Sequence, residues 1–291
     1  SNSFCTLLGA TEAPSRFVVE MHPLTEADAS SILAVLQNIS SADRAQRNEA
    51  NEQLKQLKAN VHQQSGLAPL LLYIATSEAQ PILARQVAAV AFLDVVKKCW
   101  SVTRSESTIM DSDKELVRQQ LFSAMIGSPV EVRRVLASCI EIVCSCDFPE
   151  NYPSILDEMN TVFMRVDEAG MQDPQQCDVL EATLAAAHSV FQRYRALHEL
   201  DEKLAAELLT INASTAGPLV AILDASARMA EGAAGAGNTA AAGVYMKIFT
   251  LTTEVLHDLT TCDLGEQHEK AMGSIVTALV KAIHIDSPEM L

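Results

Sequence analysis

Apolar residues recur at helical spacing along this chain of 291 residues, in roughly twelve segments. The stripe that is easiest to trace contains Val132, Val135, Leu136, Cys139, Ile140 and Val143. Residues three or four apart lie on one face of a helix, so each segment predicts a helix with one buried side. Only 11 glycines and 10 prolines occur, which favours helix over the turn-dense composition of all-β proteins.

The segments group in twos at a spacing of about 40 residues, which is typical of HEAT repeats. The predicted units cover residues 25–60, 66–99, 112–147, 152–195, 198–231 and 239–285. One helix pair cannot bury its own apolar face, whereas stacked pairs bury a continuous core and expose long surfaces that bind proteins. The predicted fold is therefore an all-α HEAT-repeat α-α superhelix (solenoid) of about six antiparallel helix pairs.

Local signals predict several boundaries. Ser112 and Glu115 match a capping box, and Ser128-Pro129 matches the start of another helix. The glycine-rich run 232–238 predicts a flexible linker. Residues 1–22 lack a pattern and are expected to be a leader or tag remnant. The final stripe, which ends at Ile283, is still apolar, so we expect a fragment of a longer array.

The chain has 37 acidic and 21 basic residues and a formal net charge of -16 at pH 7. A phosphate-binding surface concentrates lysine and arginine, so no nucleic-acid partner is expected. The 7 cysteines are odd in number and scattered, which favours a reducing compartment. No apolar run approaches the roughly 18 residues of a membrane span, so no membrane partner is expected.

Three features resemble chemical sites, and each has a plainer interpretation. The stretch from Gly232 to Gly237 lacks the Gly-Lys-Ser/Thr ending of a phosphate loop. Cys144 and Cys146 have no second ligand pair at zinc spacing, so core cysteines are expected. His188 lies beside an apolar helix face, and no nucleophile can be assigned to it. The sequence therefore predicts no enzyme, no metal and no cofactor.

Ordered short motifs carry a resemblance to one protein family. The first lie at Arg47-Asn48-Glu49-Ala50, Arg85-Gln86-Val87-Ala88-Ala89-Val90 and Lys97-Lys98-Cys99-Trp100. Later motifs lie at Asp147-Phe148-Pro149-Glu150-Asn151-Tyr152-Pro153 and His188-Ser189-Val190-Phe191-Gln192-Arg193-Tyr194-Arg195. In order and spacing they resemble the importin-beta superfamily of nuclear transport receptors. The last motif resembles the exportins that return importin-alpha to the cytoplasm.

The resemblance implies a domain layout and a set of partners. Residues 23–147 would hold the first three repeats, which contact Ran in the family, and residues 148–291 would hold the next three. The implied partners are the GTP form of the GTPase Ran, importin-alpha as cargo, and nuclear pore proteins. The receptor would shuttle between nucleus and cytoplasm, with no obligate homo-oligomer.

Two groups of residues follow from the resemblance. Side chains that leave the buried stripes of the inner helices are the candidate contacts to Ran-GTP or another partner: Asn51, Lys55, Asp94, Lys97, Lys98, Arg134 and Glu141. Side chains of the family motifs are expected to organise the repeats: Trp100, Asp147, Phe148, Pro149, Tyr152, Pro153, His188, Phe191, Arg193, Tyr194 and Arg195. Tyr194 is expected to pack its ring while its hydroxyl finds a hydrogen-bond partner.

The chain departs from the family pattern at two places. Leu93-Asp94 stands where the family usually has Lys-Asn, which puts inherited partner contacts there in doubt. Tyr152 replaces a tryptophan. Two other functions stay open: an import receptor of the same superfamily, from which Ran-GTP releases cargo, and a HEAT scaffold that does not depend on Ran.

Overall fold

The computed structural model describes residues 25–61, 65–101, 108–165, 169–195, 202–260 and 266–283. These ranges contain 11 α-helices and no strand. The predicted leader at 1–22 lies outside them, as do Cys5 and Cys262. The chain divides into two compact units, residues 1–146 and 147–291.

The described part of the first unit contains α1 (Glu26–Asn38), α2 (Arg44–Ala59), α3 (Leu67–Thr76), α4 (Ile82–Cys99), α5 (Asp111–Ile126) and α6 (Val130–Asp147). Helix α1 packs against α2 and α4, and α3 packs against α4 and α5. Helix α1 begins with a capping box. The Asp28 N–H donates to the Thr25 hydroxyl at 3.2 Å, and the Thr25 N–H donates to the Asp28 carboxylate at 2.8 Å.

Helix α3 is apolar on every side, and side chains of neighbouring helices form hydrogen bonds with the backbone at both of its ends. Seven of its 10 residues are buried. Gly66 at its N-cap has a φ of +96°, which suits glycine, and has no side chain that could cap the helix. The carboxylate of Asp113 on α5 instead accepts the Gly66 N–H at 2.7 Å and the Ser65 hydroxyl at 3.1 Å. At the C-terminus, Arg85 of α4 donates to the Ala75 carbonyl at 3.0 Å. Neighbouring helices thus satisfy backbone groups that α3 leaves free.

The described part of the second unit contains α7 (Ser154–Arg165), α8 (Pro174–Phe191), α9 (Glu202–Gly235), α10 (Thr239–Leu259) and α11 (Glu266–Ile283). Short 3₁₀ helices at Gly170–Gln172 and Gln192–Tyr194 flank α8. Helix α9 packs against α7, α10 and α11, and α10 packs against α8. Asp173 caps α8 by accepting the Gln175 N–H at 3.0 Å.

The prediction of two helices within 198–231 is wrong, because a single helix of 34 residues, α9, covers the described part of this range and continues to Gly235. Pro218 lies inside it, and a proline there removes one backbone hydrogen bond. Leu219 and Ile222 beyond the proline and Ile211 before it are all buried. Packing on both sides of the proline therefore holds the helix together, and both α10 and α11 pack against it.

The flexible linker predicted at 232–238 is wrong over most of its length. Helix α9 continues through Gly235, and only residues 236–238 separate it from α10. Each helical glycine costs about 1 kcal/mol relative to alanine, but Ala233 and Ala234 favour helix and Ala230 is buried. Gly237, with a φ of +72°, makes the actual turn.

The capping box predicted at Ser112 and Glu115 does not form. Helix α5 begins at Asp111, so Ser112 already lies inside the first turn and no side chain caps the helix. The Glu115 carboxylate instead accepts from Arg118 at 2.8 Å. Helix α6 does begin directly after Ser128-Pro129.

The prediction that no apolar run approaches the length of a membrane span is wrong by this criterion: among the described helices, α9 is long and apolar enough over Leu204–Gly235 to cross a membrane, judged by length and composition alone. Half of its most apolar window is buried inside the protein. Core helices of soluble proteins meet the same criteria, and the packing of α9 against α7, α10 and α11 accounts for the buried half.

Candidate functional site

Three of the seven predicted contact residues line one groove between α2 and α4. This α2–α4 groove has a volume of about 610 Å³. Asn51 lines it from α2, and Asp94 and Lys97 line it from α4. The rest of its lining is Ile39, Leu54, Lys58, Leu83, Gln86, Val87, Val90, Ala91 and Leu93.

The floor of the α2–α4 groove is an apolar face of α4. Leu83, Val87 and Val90 follow one another at helical spacing, so they share a face. Leu83 is 50% exposed and Val90 is 56% exposed. Large apolar side chains that lie together in solvent mark a surface suited to protein contact.

Asp94 joins α4 to α2 through Lys58 and also pairs with Lys98 of its own helix. The Lys58 ammonium of α2 donates to Asp94 Oδ2 at 2.5 Å, and Lys98 Nζ lies 2.9 Å from Asp94 Oδ1. Burial raises the pKa of the Asp94 carboxyl, but the hydrogen bonds and charges of the two lysines outweigh burial and hold the pKa below its usual value. Asp94 is therefore ionised at neutral pH and fixes two flexible cations.

The other predicted contacts lie outside the groove lining. Lys55 on α2 is 77% exposed and pairs with Glu52 of the same helix at 3.7 Å. Arg134 and Glu141 are exposed on α6. Lys98 does not line the groove but is tied to it through Asp94.

Arg193, a predicted motif residue, connects three elements of the second unit. Its Nη1 donates to the Phe148 carbonyl at 2.8 Å, in the turn before α7. Its Nη2 lies 3.5 Å from the carboxylate of Glu207 in α9. Its guanidinium carbon lies 5.3 Å from the ring centroid of Tyr194 and 6.0 Å from that of Phe148, within the range of cation–π attraction.

Tyr194 is fully buried beside Arg193. Its hydroxyl donates to the Glu207 carboxylate at 3.2 Å. Burial raises the pKa of the Tyr194 phenol, although the charge of Arg193 acts in the opposite direction. The ring thus packs in the core while the hydroxyl holds α9.

Asp258 of α10 is a carboxylate with 0% exposure. His188 Nδ1 of α8 lies 2.8 Å from Asp258 Oδ2, and Arg195 forms an ion pair with Asp258 Oδ1. Burial raises the pKa of Asp258, and the contacts with His188 and Arg195 oppose this shift. Because a buried charge is costly without a partner, these two motif residues stabilise the packing of α10 on α8.

The turn before α7 is built from the Asp147–Pro153 motif. The Asp147 carbonyl accepts the N–H groups of Asn151 and Tyr152 at 2.7 and 3.1 Å. The Phe148-Pro149 peptide bond is cis. Tyr152 is 1% exposed, whereas Pro153 is exposed at the start of α7.

The two remaining motif residues are core side chains. Trp100 at the end of α4 is 2% exposed, and Phe191 at the end of α8 is 1% exposed. The Lys114 ammonium lies 6.0 Å from the Trp100 ring centroid. The ring of Trp100 therefore packs in the core of the first unit and also lies near the Lys114 cation.

Sequence reasoning missed Lys58, Glu207 and Asp258. Asp258 lies 70 residues from His188, and Lys58 lies 36 residues from Asp94, so no local pattern links the partners. A signal for Lys58 was available, since it follows Leu54 by one helical turn and Asn51 by two. Lys58 thus lies on the same face of α2 as Asn51, one of the predicted contact residues.

Within the ranges that the structure describes, no three His, Cys, Asp or Glu side chains could together hold a metal ion. The core position predicted for Cys144 is confirmed, because that cysteine is buried, whereas the prediction is wrong for Cys146, which is exposed. Burial raises the pKa of Cys139, which keeps that thiol protonated.

Comparison with known proteins places this geometry in a family. The family model described as "Importin-beta N-terminal domain" matches residues 50–127, which contain most of the α2–α4 groove, and the model described as "Cse1" matches residues 190–291. The solved structure described as the exportin Cse1 in its cargo-free, cytoplasmic state has a TM-score of 0.72, covers 90% of this chain and is 20% identical. The predicted all-α HEAT-repeat fold is confirmed.

The two matched models together support placing this chain in the importin-beta superfamily. Within that class, it is similar to exportins of the Cse1 type. It is 26% identical to Exportin-2 of Xenopus laevis over 266 residues, 27% identical to that of Drosophila melanogaster over 271 residues and 25% identical to that of Homo sapiens over 251 residues.

The alignments cover 91%, 92% and 86% of this chain but only 26%, 26% and 24% of the three relatives. The solved Cse1 structure is covered to the same small extent, 26%. The chain thus spans about a quarter of the length of the relatives it matches.

Proposed function

We propose that this chain is part of an export receptor that binds the GTP form of Ran together with importin-alpha and returns importin-alpha from the nucleus to the cytoplasm. One observation carries the proposal: an importin-beta N-terminal domain and a Cse1 domain follow each other in one chain. Similarity to Exportin-2 along most of the chain supports it.

In this proposal the α2–α4 groove is part of the Ran-binding surface. It combines exposed apolar side chains with the polar groups of Asn51, Asp94 and Lys97. Lys55, Lys98, Arg134 and Glu141 are the further proposed contacts. A surface of this composition suits a folded protein partner, since apolar area supplies affinity while charged groups at its edge set orientation and specificity.

Cooperative binding gives the receptor its direction of transport. If Ran-GTP and importin-alpha each raise the affinity for the other, the two factors must be equal by linkage. GTP hydrolysis on Ran then removes one ligand and weakens the other. The receptor itself catalyses no step. Contacts with nuclear pore proteins would let the complex shuttle between nucleus and cytoplasm.

The direct test is titration calorimetry of the chain with Ran loaded with a non-hydrolysable GTP analogue and, separately, with GDP. We expect binding to the GTP form and little or none to the GDP form. Equal binding to both forms, or to neither, contradicts a Ran-dependent receptor and favours a HEAT scaffold.

A second titration separates export from import. Importin-alpha is added first, and the affinity for Ran-GTP is measured again. An exportin binds Ran-GTP more tightly when importin-alpha is present, whereas an import receptor binds it less tightly when loaded with cargo. A weaker affinity would therefore overturn the export proposal while keeping the transport class.

A further inference from the structure

The α2–α4 groove is locally basic in an acidic protein. The whole chain has a net charge of -16. At the groove, Lys58 and Lys97 line the wall and Lys98 adjoins it, while Asp94 is the acidic residue among the lining side chains. The three lysines outnumber the single aspartate, so the groove has an excess of positive charge that would attract a negatively charged group.

Asp94 determines where two of these cations lie. A lysine side chain has four rotatable bonds and samples many positions unless something holds it. Asp94 Oδ2 binds Lys58 at 2.5 Å and Oδ1 binds Lys98 at 2.9 Å. Because the Lys98 side chain is still 66% exposed, its ammonium group keeps donors that can reach a second acceptor.

The apolar floor lies within the same groove. Leu83 and Val90 are exposed to about half of their area, and they line the cavity together with Asp94 and Lys97. A free ion would use the lysines alone, whereas a protein segment can also cover the two apolar side chains. The lysines therefore favour a ligand with a negative charge, and the exposed apolar side chains favour one that also carries an apolar group.

We propose that the α2–α4 groove binds a surface segment of its protein partner in which an apolar side chain stands next to a carboxylate. Asp94 is the positioning residue that holds Lys58 and Lys98 for that carboxylate. The inference rests on the proposed function, because the partner is taken to be Ran in its GTP form.

Asp94→Asn separates positioning from simple charge. The substitution keeps the size of the side chain and removes one negative charge from the groove. If only charge counted, an acidic partner would bind this variant more tightly. If Asp94 positions the lysines, Ran-GTP binds about threefold to tenfold more weakly, as expected when a charge-assisted contact is disordered.

Three further variants test the parts separately by the same calorimetry. Lys97→Ala and Lys98→Met should each weaken binding about threefold and reduce its dependence on salt between about 50 and 200 mM NaCl. Val90→Asn should weaken binding about tenfold without changing that salt dependence. Arg228→Ala, on α9 of the second unit, is the control and should bind like the unchanged chain.

The outcomes are distinguishable. If the unchanged chain binds Ran-GTP no better than Ran-GDP, both the proposed function and this inference are contradicted. If Ran-GTP binds but Asp94→Asn binds equally or more tightly, and Lys98→Met is without effect, only the inference fails. Competition between Ran-GTP and an oligouridylate RNA for this groove would also overturn it, since phosphate would then be the ligand. Thermal unfolding of each variant identifies any loss of binding that reflects loss of folding.

Discussion

At the scale of single residues, Arg193 joins three parts of the second unit through one guanidinium group. It reaches the Phe148 carbonyl at 2.8 Å and the Glu207 carboxylate at 3.5 Å. The planar guanidinium can also face the rings of Phe148 and Tyr194, which an ammonium group matches less well. Its removal leaves the buried Tyr194 ring and the Glu207 carboxylate without this neighbour.

Arg193→Ala should lower the free energy of unfolding by about 2 kcal/mol, because hydrogen bonds to charged groups contribute in this range. Arg193→Lys should lose less, since it keeps the charge near Glu207. Both are measured by urea unfolding followed by circular dichroism. Arg228→Ala is the matched control, because Arg228 pairs with Asp224 on its own helix and is 45% exposed; it should cost less than about 0.5 kcal/mol. Equal losses for Arg193→Ala and Arg228→Ala would contradict this role.

Asp113 makes a pH-dependent contribution to the stability of the first unit. Burial raises the pKa of its carboxyl above the ordinary value of 3.8, against the hydrogen bonds from Gly66 and Ser65. The folded state then holds the proton more tightly than the unfolded state. The contribution of Asp113 to stability therefore falls as pH rises from the unfolded pKa through the raised folded pKa, and is constant above it.

Asp113→Asn keeps the shape of the side chain and removes this titration. The unfolding free energy of the variant, relative to the unchanged chain, should thus increase as pH rises above the ordinary pKa of 3.8 and level off once Asp113 is ionised in the folded state as well. Urea titrations at several pH values measure the difference. Ser65→Ala removes a hydrogen bond that lowers the Asp113 pKa in the folded state, so its unfolding free energy relative to the unchanged chain should instead decrease as pH rises. A decrease for Asp113→Asn as pH rises would show that the sign is wrong.

Single residues also show where sequence reasoning stops. The motif around His188 to Arg195 could be identified from its order of residue types, and Tyr194 could be expected to bury its ring. Its partner Glu207 and the partner Asp258 of His188 could not be named. Such pairings depend on how helices distant in sequence pack, and amphipathic periodicity defines a buried face without defining the neighbour.

At the scale of elements, periodicity predicted each of the six described helices of the first unit, α1 to α6, but failed to predict α9 as one helix. The glycines near its end and Pro218 in its middle are ordinary stop signals. Helix α9 overrides them because Ile211, Leu219 and Leu223 are buried on either side of the proline. The free energy of that burial, about 1.5 to 3 kcal/mol for each large side chain, offsets the cost of the proline and the glycines. Local signals are therefore weaker guides for long core helices.

The end of α9 can be tested with two glycines. A Cβ added at Gly232 or at Gly237 meets no atom within 4 Å, so only the backbone distinguishes the two positions. Gly232 is helical, so Gly232→Ala should raise the free energy of unfolding by about 0.5 to 1 kcal/mol. Gly237 has a φ of +72°, so Gly237→Ala should lower it by about 1 kcal/mol.

Urea unfolding of both glycine variants measures the difference. Because neither substitution adds a contact, each serves as the control of the other. A flexible linker over the whole of 232–238 would instead give two small effects of the same sign. That result would contradict the helical extension of α9 through Gly235.

At the scale of the whole molecule, each unit has its own buried core. Phe92 of α4 and Leu184 of α8 are both 0% exposed, the first among the side chains of residues 1–146 and the second among those of 147–291. In a repeat array each repeat contacts only its neighbours, so a local loss of packing stays local. Each unit can therefore lose packing without the other, which is testable.

Hydrogen exchange measured by mass spectrometry tests this independence of the two units with paired cavity substitutions. Phe92→Ala and Leu184→Ala should each remove about 2 to 5 kcal/mol of packing energy. We expect Phe92→Ala to accelerate amide exchange in α3, α4 and α5 while α8, α9 and α10 exchange at their original rates, because opening is confined to the unit that contains the cavity. Leu184→Ala should show the opposite pattern, so each variant is the control for the other. If either substitution accelerated exchange equally in both sets of helices, the two units would unfold as one cooperative body, and the binding proposed for the α2–α4 groove would then depend on the integrity of the second unit as well.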